Sequence, residues 1–279
     1  MIRKKLTTNK LIRYVLLIII SLVAIFPLIW MVLNALKTGQ EISGNSIFPV
    51  VPQWQNFIET FDLAPFGKYM WNSFFTASII VLLQIILSSM LAYALVFLEF
   101  RVRNILFFIV LATYMLPSAT TYVPSYIILG KLDLLDTFLG LILSCTVNVA
   151  MIFLLRQNFK RVPKEFIEAS RVSGANDWQI YHKVLLPYCK SALFTTGILS
   201  FIANYNSYLW PTLILNSEEK MLISMGVNRF YTMQGSFASK WPLIMAATAI
   251  SIVPMIIIYV VFQKYLLSGI NKSNEGLKG

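Results

Sequence analysis

Six stretches of this 279-residue chain carry no Asp, Glu, Lys, Arg or His: 14–36, 69–98, 105–129, 138–155, 191–215 and 242–262. Each is long enough, or nearly so, to meet the roughly 20 apolar residues that a helix needs to cross a bilayer. The fourth is the shortest. Hydrophobic residues make up 57% of the chain and charged residues 13%, about half the charge of an ordinary soluble domain. A soluble enzyme could not solvate such a surface, and a disordered chain would not be this rich in Phe, Ile and Leu. The expectation is an all-α membrane protein with six transmembrane helices. The first stretch follows Arg3, Lys4, Lys5, Lys10 and Arg13, as a signal peptide would. Its apolar run is too long for one and no small-residue cleavage site follows, so it reads as a retained span.

An even number of spans puts both termini on one side. That side takes 17 of the 23 Lys and Arg residues and 5 of the 12 acidic ones. It therefore carries +12, and the other side carries −1. The positive-inside rule makes it the cytoplasmic side. The excess of basic residues is thus topological and implies no nucleic-acid partner. Cys145 and Cys189 suggest neither a disulfide framework nor a metal site.

Ion-coupled transporters usually hold a carboxylate or histidine within the membrane. These spans offer only uncharged polar groups, among them Asn34, Gln84, Asn148, Asn204 and Asn206. The chain also lacks a phosphate-cradling G-x-x-x-x-G-K-[ST] loop. Energy for uphill transport would have to enter from another subunit. A self-sufficient channel or secondary transporter is the alternative. A membrane-bound enzyme finds no cluster of His, Asp, Glu or Cys to support it, since His182 stands alone.

The stretch 156–190 is too long and too patterned for a linker. Pro163 suits the first position of a helix, with Glu165 favourable in its first turn. Gly174 fits a residue past the helix end that needs positive φ. Asn176 can cap a second helix, with Gln179 as its capping-box partner. That helix should run to Pro187. A basic, partly apolar hairpin of this kind could lie on lipid headgroups or dock a cytoplasmic partner.

The segment Glu168-Ala169-Ser170-Arg171-Val172-Ser173-Gly174-Ala175, followed by Tyr181, Val184, Leu186 and Pro187, resembles the EAA loop of bacterial ATP-binding-cassette importer permeases, E-A-A-x-x-D-G-A then F-x-x-I-x-L-P. Ser173 departs from the pattern by removing a carboxylate from the turn. Asn206-Ser207-Tyr208-Leu209-Trp210-Pro211 and the tail through Gly269-Ile270 to Gly279 resemble the carbohydrate-uptake, maltose-permease-like group. The resemblance implies a type I importer permease fold with a cytoplasmic coupling hairpin between spans four and five. It also implies a second homologous permease subunit, two cytoplasmic ATPase subunits that bind the ATP and Mg, and an extracellular or periplasmic solute-binding protein. The chain itself would need no cofactor and catalyse nothing. Glu168, Ala169, Ser170, Ser173, Gly174, Ala175, Tyr181, Leu186 and Pro187 would couple it to an ATPase, and Leu277–Gly279 would reach the ATPase interface.

Candidates for the solute pathway are Tyr114, Asn148, Asn204, Tyr205, Asn206, Tyr208 and Trp210, because sugars suit aromatic faces and amide hydrogen bonds. Interhelical hydrogen bonding and interfacial anchoring are the structural alternative for each. The expected solute is a sugar or oligosaccharide, with glycerol-3-phosphate or another small solute as the alternative. The domain reading is a basic tail, first span and outer loop over 1–68, a permease core over 69–268, and a cytoplasmic tail over 269–279. Membrane lipid surrounds the core.

Overall fold

The chain's long unbroken apolar runs form long helices, and its proline- and amide-containing runs form bent ones. The computed structural model describes residues 8–44, 46–232 and 237–275, without the side chains of 8, 9, 11, 118, 237–239 and 264–275. Arg3, Lys4, Lys5 and Leu277–Gly279 lie outside the described residues, as do the side chains of Gly269-Ile270. Among the described residues all regular structure is helical. In chain order the helices are α1 (Thr8–Ala35), α2 (Gly39–Ile42), α3 (Gln55–Leu63), α4 (Phe66–Phe97), α5 (Arg103–Tyr114), α6 (Ser118–Lys131), α7 (Phe138–Ser144), α8 (Val149–Phe159), α9 (Lys164–Val172), α10 (Asp177–Gln179), a π-helical segment (Ile180–Leu185), α11 (Leu186–Tyr188), α12 (Lys190–Tyr205), α13 (Leu209–Ile214), α14 (Ile223–Thr232) and α15 (Phe237–Glu275).

Among the described residues three helices are long and apolar enough to cross a membrane: α1, α4 and α15. Three bent pairs bring the number to six if each pair is one span: α5 with α6 at 99°, α7 with α8 at 47°, and α10–α11 with α12 at 77°. Two of the bends have local causes. Pro117 stands between α5 and α6, where its ring and missing N–H end a helix. Asn148 caps α8 by accepting the Met151 N–H at 3.0 Å, so the chain restarts a helix there. The third bend falls at Cys189, between α11 and α12; separately, Asn206-Ser207-Tyr208 part α12 from α13 within the fifth apolar stretch.

The chain divides into two compact units. The first holds residues 1–66 and 226–253. In it Asn56 donates to the carbonyls of Ala35 (2.7 Å) and Lys37 (3.0 Å), closing α3 onto the end of α1. Phe66 packs edge-on against Phe230, and Trp30 against Trp241. Glu41 sits in a capping box with Thr38. The Thr38 and Val50 N–H groups it accepts hold its carboxyl below the usual value.

The second unit holds residues 67–225 and 254–279. α4 is its strut, at 1.5 Å per residue about 48 Å long. At its first end Asn72 donates to the carbonyls of Glu219 and Met221, and the Ser73 hydroxyl accepts the Ile223 N–H. Halfway along, buried Gln84 donates to the Cys145 carbonyl at the α7–α8 bend and accepts from the Ser200 hydroxyl of α12. At the far end Ser89, Tyr93 and Phe97 meet the segment after α8.

Beside the first end, Asp136 closes a clasp. Its carboxylate accepts the Ser217 hydroxyl, the Ser217 and Asn216 N–H groups and the Lys220 ammonium. These bonds, the two from Ser217 foremost, hold its carboxyl well below the usual carboxylate range. Gly140 is needed nearby, because a Cβ there would lie 2.2 Å from the Leu134 carbonyl oxygen.

Candidate functional site

The hairpin expected over 156–190 forms, and its turn is built as the sequence signals suggest. α9 starts after Pro163 and ends at Ser173. Gly174 follows with φ +85, a conformation that costs an L-residue about 1–2 kcal/mol. Asn176 then caps α10 in a full capping box with Gln179. The Ala175 N–H returns to the Ser170 carbonyl at 3.0 Å, a Schellman-like closure of the turn.

Two features differ from the sequence expectation. Arg156 belongs to the last turn of α8 and is buried. The second arm does not stop before Pro187 but continues through it to Tyr188. The π-helical segment Ile180–Leu185 explains this. Its wider turn sends the Leu186 N–H back to the Tyr181 carbonyl and disturbs the regular ladder where proline offers no donor.

One face of the hairpin is sealed. Ile167, Ile180, Tyr181 and Leu185 are buried with Met151, Leu155, Phe159 and Val162 of the preceding segment and Ala92 and Tyr93 of α4. Burying four large side chains is worth about 1.5–3 kcal/mol each, so the hairpin is firmly seated. Polar contacts fix its angle. The Tyr181 hydroxyl meets the Ser89 hydroxyl at 2.7 Å, and its ring packs on Tyr93. The Tyr93 hydroxyl donates to Asp177 at 2.8 Å. Arg171 pairs with the same Asp177 oxygen at 3.2 Å and donates to the Phe97 carbonyl.

The other face is open. Glu168, Ala169, Ser173, Gly174 and Pro187 are exposed, and Ser170, Ala175 and Leu186 are half-buried. Phe166, Ala169, Ser173, Ala175, Gln179 and Lys183 line a cleft of about 590 Å³ between the arms. Of the nine residues assigned to coupling by pattern, Ala175 and Leu186 pack partly against the sealed core and Tyr181 is buried in it. The contacts of Tyr181 position the hairpin rather than present it. The His182 ring nitrogen lies against the Trp178 carbonyl within the same helix.

The candidate pathway residues divide in the same way. Asn148, Asn204 and Trp210 spend their polar groups inside the chain. Asn148 caps α8, Asn204 donates to the Ser200 carbonyl at 2.8 Å, and Trp210 donates to the Ser144 hydroxyl while stacking on Tyr122. Tyr205 is fully buried. Tyr114, Asn206 and Tyr208 are exposed beside helix breaks. The sequence reading missed Ser89, Tyr93 and Asp177, whose importance lies in contacts up to 92 residues apart. It noted Gln84 as an intramembrane polar group but not its partners.

The hairpin thus has one face sealed against α4 and one face open. Residues 84–272 match the family described as binding-protein-dependent transport system inner membrane component. The chain belongs to this family. An arabinooligosaccharide transport permease of Halalkalibacterium halodurans is 30% identical over 265 residues, covering 93% of each chain. A sulfoquinovosyl glycerol transport permease of Agrobacterium fabrum is 30% identical over 276 residues, 98% of this chain and 95% of the other. An sn-glycerol-3-phosphate transport permease of Pectobacterium atrosepticum is 29% identical over 270 residues, 94% and 96%. A crystal structure of a bacterial ABC transporter for import of the acidic polysaccharide alginate contains a chain that superposes with a TM-score of 0.82 at 27% identity, covering 95% of this chain and 99% of that one. The protein is therefore a non-catalytic permease subunit of an inner-membrane ABC importer, with the type I importer permease fold. The family works with a solute-binding protein and with ATPases that hydrolyse the ATP.

Proposed function

We propose that this permease forms half of a translocation pathway for a sugar or oligosaccharide, beside a second homologous permease subunit. Two ATPase subunits dock beneath the pair and a solute-binding protein docks above. Both termini and the hairpin lie on the cytoplasmic side, where the +12 face belongs. The open arm face, with Glu168, Ala169, Ser170, Ser173, Gly174 and Ala175, engages an ATPase cleft. Tyr181, Leu186 and Pro187 set the arm's direction.

The observation that carries this reading is the seating of the hairpin on α4. A push on the exposed turn reaches Asp177 and Tyr181, and through them Tyr93 and Ser89. From there a single unbroken helix runs to the contacts of Asn72 and Ser73. Motion at the ATPase thus becomes rigid-body motion at the opposite face, as alternating access requires. The exposed ring and amide at Tyr208 and Asn206, with Tyr114, are the groups of this chain best placed to meet a sugar. Asn148, Asn204, Tyr205 and Trp210 shape the pathway by holding the bent helices. The glycerol-3-phosphate relative keeps a small anion as the alternative solute, its charge met by the partner subunit.

Reconstitution with the ATPase and binding protein tests the coupling. Glu168→Lys and Gly174→Asp should abolish solute-stimulated ATP hydrolysis and uptake. Wild-type uptake by both variants would refute the coupling assignment. Stimulation by a phosphorylated solute and by no sugar would overturn the substrate class and leave the architecture intact.

A further inference from the structure

Among the described residues Arg156 has no counter-charge. Its side chain is 7% exposed, its guanidinium carbon sits 3.6 Å above the Phe107 ring, and its Nε has no hydrogen-bond partner. Arg103 lies one turn before Phe107 on α5, near enough for its charge to act on Arg156. Arg103 donates to the Leu98 carbonyl at 3.3 Å, which satisfies N–H groups without neutralising the cation. Among the described residues neither arginine is within ion-pair distance of a carboxylate. Arg103 also lines a small polar cavity with Glu99, Arg101 and Asn104. That cavity carries two positive charges against one negative charge.

Buried cations are paired as a rule, because an uncompensated one is costly. This pair occurs where helices leave the apolar region on the hairpin's side. α5 begins at Arg103, α8 ends three residues after Arg156, and the hairpin follows. The neighbouring side chains toward the span are exposed and apolar: Ile105 60%, Phe108 69%, Ile109 56% and Leu154 41%. Acyl chains would lie on those residues, which places the phosphate of the same lipid at the height of the arginines.

We propose that Arg103 and Arg156 form the headgroup site of an anionic phospholipid on the hairpin's side of the membrane. The guanidinium groups meet the phosphodiester, a geometry that Arg provides better than Lys, and basic pockets between membrane helices are suited to such headgroups. The proposal rests on the permease being embedded in the bilayer and is independent of the ATPase-docking role of the hairpin.

The test is lipid retention by the assembled transporter, purified from membranes containing phosphatidylglycerol and phosphatidylethanolamine and measured by native mass spectrometry. Wild type should retain phosphatidylglycerol preferentially. Arg103→Gln and Arg156→Gln should each lower that retention about fivefold, the scale of one basic residue at a charged leaflet. Arg156→Lys should keep part of it. Short-chain phosphatidylglycerol should displace the retained lipid from wild type and inorganic phosphate should not, a measurement that stands even if a Gln variant fails to assemble. Equal retention by wild type and the double variant, or displacement by inorganic phosphate as effective as by the short-chain lipid, would overturn the proposal. Glu168→Lys should leave lipid retention unchanged, so loss of coupling and loss of the lipid site are told apart.

Discussion

Gly174 and Asp136 show how single residues set this fold, one through backbone freedom and the other through charge. At Gly174 a Cβ would meet nothing within 4 Å, so any substitution cost is backbone strain at φ +85 and not a clash. Gly174→Ala should lower the unfolding free energy by about 1–2 kcal/mol, and Gly174→Asn by less, since Asn tolerates the left-handed region. Thermal unfolding of the solubilised permease orders the three; an Asn variant less stable than Ala would contradict the account. The turn stands without the carboxylate that the family pattern puts at 173. Ser173 returns its hydroxyl to the Ala169 carbonyl, and Asp177 supplies the charge on the other arm. Asp136 already adopts φ 51, so Asp136→Asn changes charge without backbone cost. Its folded-state pKa is depressed below the unfolded value near 4. Its stabilisation is therefore fully present above that value and lost as pH falls toward the folded one. The wild-type midpoint should be flat in this contribution from pH 5 to 8 and drop below pH 4. Asp136→Asn should lie lower across pH 5–8 and show a shallower acid drop, and parallel curves would remove Asp136 as the cause.

Among elements, the π-helical segment Ile180–Leu185 has the sharpest consequence. One extra residue per turn acts as a one-residue insertion, and removing a residue restores a regular helix while rotating everything before it by about 100°. Deleting exposed Lys183 should therefore swing Tyr181 away from Ser89 and Tyr93 and turn the α9 arm off its seat. Co-purification of the ATPase should be lost while the permease still inserts. Normal ATPase capture by the deletion variant would show that the π segment does not aim the hairpin. Much of the hairpin was legible in sequence because its signals are local. Pro163, Gly174 and the Asn176–Gln179 box each act within four residues, and each formed as expected. The π segment was not legible, since it is settled by burial of Tyr181 and Leu185 against α4. The role of Asn148 was hidden for a similar reason. An amide in an apolar run suits solute binding and helix capping equally, and only the restart of α8 after Cys145 assigns it to capping. Six apolar runs agree with the upper number of crossings among the described residues, yet periodicity could not separate α12 from α13, and Pro117 inside an apolar run signals a kink without its 99° size.

For the whole molecule, the uneven distribution of charge and the seating of the hairpin make one joint statement about orientation. In the proposed topology the face with +12 is the face that carries the hairpin, so the turn should be reachable only from the cytoplasm. Val172, at the end of α9, is 90% exposed, and Val50, in the segment between α2 and α3, is 80% exposed. Neither contributes to a buried contact, so cysteine is tolerable at both. In a background with Cys145 and Cys189 replaced by Ser, a membrane-impermeant maleimide applied to sealed cells should label Val50→Cys and spare Val172→Cys. Permeabilised cells should show both labelled, which excludes burial as the reason for protection. Labelling of Val172→Cys in sealed cells would place the hairpin on the outside. The positive-inside assignment, and with it the docking of an ATPase on Glu168 and Gly174, would then fail together, while the helices and their bends would stand.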